Sequence, residues 1–268
     1  MTVPSTSGCT PLAFITGGSS GIGQALALRY LQMGWRVALV ARRSAAIESW
    51  AAEQHIDASR CQAFAADVTD TAGLVAAANA CMASMGLPDV VIANAGMSVG
   101  MDSAEFDDIA VMANTFATNN TGMAATFHPF IKPMAARGSG VLVGIASMAA
   151  IRGLPGHGAY CASKAAAVAY CESLRGELRP SGIAVVTLLP GYVATPLTAK
   201  NPYSMPFLMS AQAFAAQAVD AIQAQTSYKI IPWQMGIVAK LMRLLPNGLY
   251  DRLVAGRARK PRARVLAE

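Results

Sequence analysis

Apolar runs of strand length alternate with Ala-rich stretches of helix length along most of the chain. A strand buried on both faces is apolar throughout, and intervening helices are typical of a parallel sheet that is covered on both sides. The pattern therefore predicts one α/β domain, doubly wound around a mostly parallel seven-stranded sheet. The predicted strands cover residues 12–16, 36–41, 61–65, 90–93, 141–146, 183–189 and 228–231.

A helical extension is predicted after the last strand, in residues 232–268, with a break where Pro, Asn and Gly stand at 246–248. No repeat or linker marks a second domain, so residues 1–268 are expected to form one unit. The extension has a wide apolar face that something must cover. The chain's own domain or a second subunit, a role as lid over an apolar pocket, and a membrane surface are all open. The residues of this face are Trp233, Ile237, Leu241 and Leu244.

The charge is distributed unevenly. With 54% hydrophobic and 13% charged residues the chain is too apolar for disorder, and its net charge is +6. Residues 1–251 carry 15 basic and 14 acidic side chains, a near-neutral body that lacks the basic face of a nucleic-acid binder. Residues 252–268 carry six and one, so this tail is either a frayed, solvated terminus or a patch that attracts anionic lipid or another acidic surface. Its basic residues are Arg252, Arg257, Arg259, Lys260, Arg262 and Arg264.

Cysteine usage and hydropathy favour a cytoplasmic protein, with peripheral membrane contact through residues 233–264 left open. A spanning helix needs about 20 successive apolar residues, and polar residues or Pro interrupt each charge-free stretch. The first residues show no export signal. An odd number of cysteines without a CxxC pair, and histidines that stand singly, predict neither a disulfide framework nor a metal site. These residues are Cys9, Cys61, Cys81, Cys161, Cys171, His55, His128 and His157.

A glycine-rich turn, Thr-Gly-Gly-Ser-Ser-Gly-Ile-Gly at residues 16–23, lies between the first strand and a predicted helix at 24–32. Glycines let a pyrophosphate approach the exposed N–H groups at a helix start. No Lys follows the last glycine, which argues against a nucleoside-triphosphatase loop. An ordinary tight turn is the alternative. The candidate cofactor contacts are Gly17, Ser19, Ser20, Gly21, Ile22 and Gly23.

The end of the second strand bears on the choice of dinucleotide. An acid there would bind the adenosine ribose, but this chain has Arg42 and Arg43. Because guanidinium groups hold a 2′-phosphate that a carboxylate would repel, NADP is predicted over NAD. Two solvated loop charges are the alternative. Asp67, with Val68 beside it, is a candidate for the adenine amino group, or for the N-cap of the next helix.

Tyr160 and Lys164 are four residues apart in a predicted helix and therefore share a face. A tyrosine titrates near pH 10, and a neighbouring ammonium would lower its pKa into a useful range. Ser147 ends a buried strand, where its hydroxyl would point into the crevice at the carboxyl edge of the sheet. These three side chains are the candidate catalytic group.

Six motifs together resemble the short-chain dehydrogenase/reductase family in its shorter single-domain branch, over residues 11–231. They are the glycine-rich turn, Asn94-Ala95-Gly96, Asn119, Ser147, the Tyr160/Lys164 pair and the Pro-Gly-x-Val-x-Thr stretch at 190–195. The resemblance implies a Rossmann-type fold. It makes Tyr160 the proton donor or acceptor, with Ser147 polarising the substrate oxygen and Lys164 holding the nicotinamide ribose.

The resemblance also implies roles for the other motifs. Asn119 would support a water-linked proton path to the lysine, with Asn120 as the alternative. Asn94, Ala95 and Gly96 would pack beside the adenosine. The nicotinamide would be bordered by Pro190, Gly191, Val193 and Thr195.

The chain departs from the family at three places, the mildest being Ala93, where the family often has Asn. Many NADP-dependent members have Arg where this chain has Ser20, so phosphate recognition would depend on Arg42, with Arg43 as a second candidate. Tetrameric members often end soon after the seventh strand, whereas this chain continues.

The expected function is NADP-dependent hydride transfer between the nicotinamide and a carbonyl or secondary alcohol. A bulky apolar substrate, such as a steroid, retinoid or long-chain ketone, is expected because a Met- and Pro-rich loop follows the last motif. A homodimer or homotetramer is expected. A dinucleotide-binding sensor or scaffold without turnover is the alternative, although it would not need the intact catalytic group. The apolar residues of the loop are Tyr203, Met205, Phe207, Leu208 and Met209.

Overall fold

The computed structural model describes residues 10–199 and 201–262. The strands are β1 (Leu12–Thr16), β2 (Arg36–Ala41), β3 (Cys61–Ala65), β4 (Val90–Ala93), β5 (Gly140–Ile145), β6 (Ile183–Pro190), β7 (Val193–Ala194), β8 (Met209–Ser210) and β9 (Tyr228–Ile231). The α-helices are α1 (Gly21–Gln32), α2 (Ser44–Glu53), α3 (Thr71–Met85), α4 (Asp108–Phe116), α5 (Gly122–Arg137), α6 (Gly158–Leu178), α7 (Ala211–Gln223), α8 (Trp233–Leu244) and α9 (Asn247–Val254).

Seven of the strands form one parallel sheet in the order β3-β2-β1-β4-β5-β6-β9, which confirms the predicted fold class. The strand order reverses between β1 and β4. Ligands of doubly wound sheets bind outside the carboxyl ends of the strands at such a switch point. The topology therefore sets the glycine-rich turn after β1 beside the Asn-Ala-Gly motif after β4.

Alternate side chains of β1 enter two separate cores, one on each face of the sheet. Ala13 and Ile15 belong to one core, while Leu12 and Phe14 belong to the other. This alternation follows from the two-residue period of a strand. Every residue of β1 is buried, so its uninterrupted apolar sequence is explained by the helices on both sides.

The C-terminal extension is helical as predicted, but its break is shorter. The chain turns at Leu245 and Pro246, and Asn247 and Gly248 already belong to α9. The predicted face is exposed, because Trp233, Ile237, Leu241 and Leu244 are 64%, 50%, 61% and 80% accessible. Of the alternatives left open for this face, packing on the chain's own domain is therefore wrong.

The inner side of α8 packs on the domain instead. Its buried residues Met235 and Ala239 form a small apolar cluster with Met148. These few inner residues attach α8 to the domain, while its wider apolar face stays exposed. No helix in residues 10–199 and 201–262 combines the length and hydropathy that crossing a bilayer requires.

The basic tail folds back onto the domain. Arg262 donates hydrogen bonds from Nε and Nη2 to the two carboxylate oxygens of Asp108, at 2.8 and 3.2 Å. The expectation of a frayed, solvated terminus is therefore wrong for this part of the tail. Arg264 and Cys9 lie outside the described residues.

Candidate active site

A cleft of about 860 Å³ lies at the carboxyl edge of the sheet. It brings together residues that are far apart in the sequence, because parallel strands all end on this edge. The predicted site residues that line it are Gly17, Ser19, Ser20, Gly21, Ile22, Arg42, Asp67, Val68, Asn94, Ala95, Gly96, Ser147, Tyr160, Lys164, Pro190, Gly191, Val193 and Thr195. Gly23, Arg43 and Asn119 are not among its lining residues.

The glycine-rich turn has the shape of a phosphate cradle. Gly17 and Gly21 have φ angles of +69° and +57°, in the left-handed region that favours glycine. A Cβ atom at Gly17 would lie 2.9 Å from the Ala95 Cα, so only glycine lets the turn pack this closely against the Asn-Ala-Gly motif. Ser20 stands at the N-cap of α1 without a side-chain hydrogen bond to the first turn. The N–H groups at this helix start are suited to bind a pyrophosphate, so the residues present fit a dinucleotide.

Asn94 ties the Asn-Ala-Gly motif to the phosphate loop. Its Nδ2 donates to the carbonyl oxygens of Thr16 and Gly17, at 2.9 and 3.2 Å. The Thr16 hydroxyl oxygen accepts from the backbone N–H groups of Asn94 and Ala95. Gly23 is a packing residue, because a Cβ atom there would overlap the Gly17 carbonyl oxygen. The hydrogen bonds of Asn94 and Thr16 hold the ends of β1 and β4 together.

Arg42 and Asp67 line the cleft just after β2 and β3, where the sequence predicts the adenosine contacts. The Asp67 carboxylate accepts from the backbone N–H and the hydroxyl of Thr69, at 2.9 and 2.8 Å. These bonds, with a smaller contribution from Arg42, lower the pKa of Asp67. Asp70, not Asp67, caps α3, so the N-cap alternative for Asp67 is wrong. Arg43 is exposed and stands at the N-cap of α2.

Ser147, Tyr160 and Lys164 meet at the centre of the cleft. Lys164 is buried and its ammonium donates to the Ile145 carbonyl oxygen at 2.8 Å. The ammonium lies 5.8 Å from the centroid of the Tyr160 ring. Ser147 is buried, and its Oγ accepts from the N–H of Ala149 in the short helical turn that follows β5.

Burial dominates the electrostatics of this group. Desolvation lowers the pKa of Lys164 to about 8. Desolvation also raises the pKa of Tyr160, and the Ser147 hydroxyl opposes this only in part. The expected lowering of the Tyr160 pKa by Lys164 is not found, since the ammonium is directed to the backbone of β5. In this state the phenol holds its proton at neutral pH.

Asn119 lies behind the cleft in a π-helical turn (Ala117–Thr121) between α4 and α5. Its Oδ1 accepts from the N–H of Met97, and its Nδ2 donates to the Met97 carbonyl and the Ser163 hydroxyl. A Cβ atom at Gly96 would lie 3.2 Å from Asn119 Oδ1 and 3.5 Å from Lys164 Nζ. Position 119 is therefore adjacent to the lysine, whereas the Asn120 amide donates to the Ser163 carbonyl.

The Pro-Gly-x-Val-x-Thr stretch forms a tight turn at the nicotinamide end. The Thr198 hydroxyl donates to the Val193 carbonyl at 2.6 Å and accepts from the Thr195 N–H at 3.1 Å. In the Met- and Pro-rich loop that follows, Leu197 lines the cleft. None of the five predicted wall residues is among those that line the cleft, and two of them are exposed, so the predicted apolar wall is wrong. The five residues are Tyr203, Met205, Phe207, Leu208 and Met209.

Sequence reasoning missed a His–Tyr contact near the catalytic group. His157 Nε2 lies 3.2 Å from the hydroxyl of Tyr203, and their rings pack edge to face. His157 is buried, and desolvation lowers its pKa, which favours the neutral imidazole. The histidine stands three residues before Tyr160, which is the only sequence signal, because its partner is 46 residues away.

Comparisons with known proteins agree with this geometry. The model of the short chain dehydrogenase family matches residues 11–205. An uncharacterized oxidoreductase of Myxococcus xanthus is 36% identical over 242 residues, covering 89% of this chain and 94% of the relative. The D-threitol dehydrogenase of Mycolicibacterium smegmatis is 36% identical over 186 residues, which are 69% of this chain and 71% of the relative. A solved short-chain dehydrogenase of Streptomyces avermitilis has a TM-score of 0.78 at 25% identity, covering 93% of this chain and 95% of its own. The chain therefore belongs to the short-chain dehydrogenase/reductase family of oxidoreductases.

Proposed function

We propose that this protein transfers hydride between NADP(H) and a carbonyl compound or its secondary alcohol. The observation that supports this most is the convergence of Ser147, Tyr160 and Lys164 on the cleft that also holds the phosphate loop. A dinucleotide-binding sensor would need the phosphate loop. It would have no use for the Ser147 hydroxyl, the Tyr160 phenol and the Lys164 ammonium elsewhere in the cleft.

The side chains have separate tasks in the reduction. When bound, NADPH would supply the hydride for the carbonyl carbon. Tyr160 donates its phenolic proton to the carbonyl oxygen, and the Ser147 hydroxyl donates a hydrogen bond to the same oxygen as charge develops on it. Lys164 binds the ribose hydroxyls, and Asn119 keeps the backbone at Met97 in position. The raised pKa of Tyr160 suits the donating direction, because the phenol is protonated at neutral pH.

The NADP preference rests on the charge at the adenosine end. Arg42 lines the cleft beside the end of β2, where no carboxylate follows the strand. A guanidinium can donate two charge-assisted hydrogen bonds to a 2′-phosphate. The Asp67 carboxylate at the same end is held by Thr69.

The proposed substrate is bulky and largely apolar. Support comes from Met97 and Leu197 in the cleft lining. Soft methionine and leucine side chains adapt to extended apolar molecules. A ketone series that runs from small polyhydroxy ketones to long-chain and polycyclic ketones tests this, and a preference for the small polar members would contradict it.

The activity itself is tested by oxidation of NADPH, followed by absorbance, over that ketone series. Tyr160→Phe removes only the hydroxyl, and we expect it to lower kcat by about 100-fold or more, because general acid catalysis is worth that much. NADPH affinity should stay within a few-fold of the native value. Tyr170→Phe, on the far side of α6 against Phe127, is the matched control. Turnover that survives Tyr160→Phe would disprove the assigned proton donor.

A further inference from the structure

Residues 257–262, here called the C-terminal strap, cross the surface beside the substrate end of the cleft. The N–H of Gly100 donates to the Pro261 carbonyl at 3.1 Å, and Gly100 forms a parallel bridge with Arg262. The Arg262 guanidinium holds the buried Asp108 carboxylate through two bonds. Such paired charge-assisted bonds fix geometry as well as adding energy.

Two further contacts fix the path of the strap. A Cβ atom at Gly100 would overlap the carbonyl oxygen of Lys260, so the strap lies directly on this glycine. The Arg259 side chain lies against Gly156, and its guanidinium is 3.6 Å from the Asp102 carboxylate. The strap is therefore a positioned element of the structure, with contacts before and after Lys260.

Lys260 is the cation of the strap that has neutral partners. Its Nζ donates to the Ser98 hydroxyl at 3.0 Å and to the Leu197 carbonyl at 3.3 Å. Among the described residues no carboxylate oxygen lies within 4.0 Å of this ammonium, whereas Arg259 and Arg262 both have one. Burial lowers the pKa of Lys260, and no nearby acid offsets it. Desolvating a cation without an anion is costly, so such a site favours an anionic ligand.

The two partners of Lys260 place its ammonium next to the lining of the cleft, although neither Lys260 nor Ser98 itself lines it. Leu197 lines the cleft, and Ser98 directly follows Met97, which also lines it. His157 is close enough to feel this charge: burial lowers the pKa of the imidazole, and the Lys260 ammonium lowers it further. The ammonium thus lies beside the segment that leads into the catalytic helix, and away from Arg42 at the adenosine end.

We propose that Lys260 is an anion-binding residue of the substrate site, and that the substrate is an oxo acid or hydroxy acid whose carboxylate binds there. The inference rests on the proposed oxidoreductase function and makes its substrate class narrower. An ammonium has three N–H donors, of which Ser98 and Leu197 accept two. The remaining donor and the Ser98 hydroxyl match the two oxygens of one carboxylate. The apolar cleft lining would then hold the carbon chain between the carboxylate and the reacting carbonyl.

The test compares oxo acids of increasing chain length with their methyl esters, by steady-state oxidation of NADPH. The native enzyme is expected to prefer an oxo acid over its ester at one chain length. Lys260→Met keeps the length of the side chain but removes its charge. We expect it to raise KM for that oxo acid by about tenfold to a hundredfold, the worth of a hydrogen bond to a charged group. With the ester, its kcat and KM should stay within about twofold of the native values. That is less than the tenfold change expected from the loss of one such hydrogen bond.

Lys240→Met, on the exposed side of α8, is the matched control and should leave kcat and KM for both substrates unchanged. Thermal unfolding midpoints of both variants establish that the strap remains folded. With the native enzyme, the preference for the acid should also fade as rising pH removes the proton from Lys260, while ester reduction does not follow that change.

Equal kinetics for acid and ester, or an equal loss of both in Lys260→Met, would overturn the anion site and leave the oxidoreductase function standing. If no carbonyl compound and no alcohol is turned over, the proposed function fails and the substrate class fails with it. The two failures are therefore distinguishable in one set of assays.

Discussion

At the residue scale, the functional side chains are defined by burial more than by their nearest charges. Lys164 is only 4% exposed and its pKa falls to about 8, while the Tyr160 pKa moves in the opposite direction for the same reason. Desolvation disfavours the charged form of each group, so the lysine loses its proton more readily and the phenol less readily. The pair therefore starts the reaction with the phenol protonated.

This electrostatic arrangement predicts a pH profile. As pH rises through about 8, Lys164 loses the charge with which it would bind the ribose hydroxyls, so kcat/KM for NADPH in ketone reduction should fall there. The profile is measured with saturating ketone and varied NADPH. Lys164→Arg keeps its charge above pH 8, so its lower activity should show no such decline. A native profile that stays flat up to about pH 10, where tyrosine ordinarily titrates, would contradict the assignment.

The cofactor preference is a second prediction at this scale. Arg42→Ala should raise the Kd of NADPH by about tenfold or more and change the Kd of NADH little, because only NADPH carries the 2′-phosphate. The measurement is titration of each nucleotide by fluorescence. Arg43→Ala, which removes an exposed guanidinium outside the cleft lining, is the matched control. Equal weakening of both nucleotides by Arg42→Ala would mean that this residue does not recognise the phosphate.

At the element scale, short irregular segments position the site. The π-helical turn that contains Asn119 interrupts two α-helices, and such turns occur frequently at functional sites. It turns the Asn119 side chain toward Met97, where two hydrogen bonds hold the loop after β4, while a third goes to Ser163 of α6. The strap acts on the same loop from the outside, through Gly100.

The strap can be displaced by one methyl group. Gly100→Ala should raise KM for the ketone severalfold and leave the Kd of NADPH unchanged, because a Cβ atom there collides with the Lys260 carbonyl at the substrate end alone. Steady-state kinetics and nucleotide titration measure the two effects. Gly153→Ala is the matched control, since a Cβ atom there meets nothing within 4 Å. Weaker NADPH binding in Gly100→Ala would place the strap nearer the cofactor than proposed.

At the scale of the whole molecule, six of the thirteen large apolar side chains that are exposed in the described residues lie on the two C-terminal helices. Besides the four residues of the α8 face, Leu249 and Leu253 of α9 are exposed. A depression of about 550 Å³ between β9 and α8 shares none of the residues of the catalytic cleft, so this surface is no lid over the site. An apolar surface of this extent is typical of an interface.

Self-association is the prediction that belongs to this scale. The native chain is expected to sediment as a dimer or tetramer, and Leu241→Glu, at the centre of the exposed face, should shift it toward smaller species. Ala80→Glu adds the same charge to an exposed position of α3 and should leave the assembly intact. A monomeric native protein, or an unchanged assembly in Leu241→Glu, would contradict this role of the face.

The sequence by itself determined the sheet and the positions of the motifs. Five of the seven main strands begin and end where their apolar runs predicted, because strands covered on both faces are mostly apolar. The glycine-rich turn and the Tyr160/Lys164 pair were also recognisable, since their spacing is a local property of a turn and of a helix.

Only the tertiary structure decided the contacts between distant segments. The pairing of His157 with Tyr203, the exposure of the α8 face and the return of the strap to Gly100 and Asp108 each depend on surfaces that meet after folding. Periodicity reports which face of a helix is apolar, but not which neighbour is present to cover it. For the same reason the basic residues near the end of the chain looked like a free tail, while their partners are acidic groups more than 150 residues earlier.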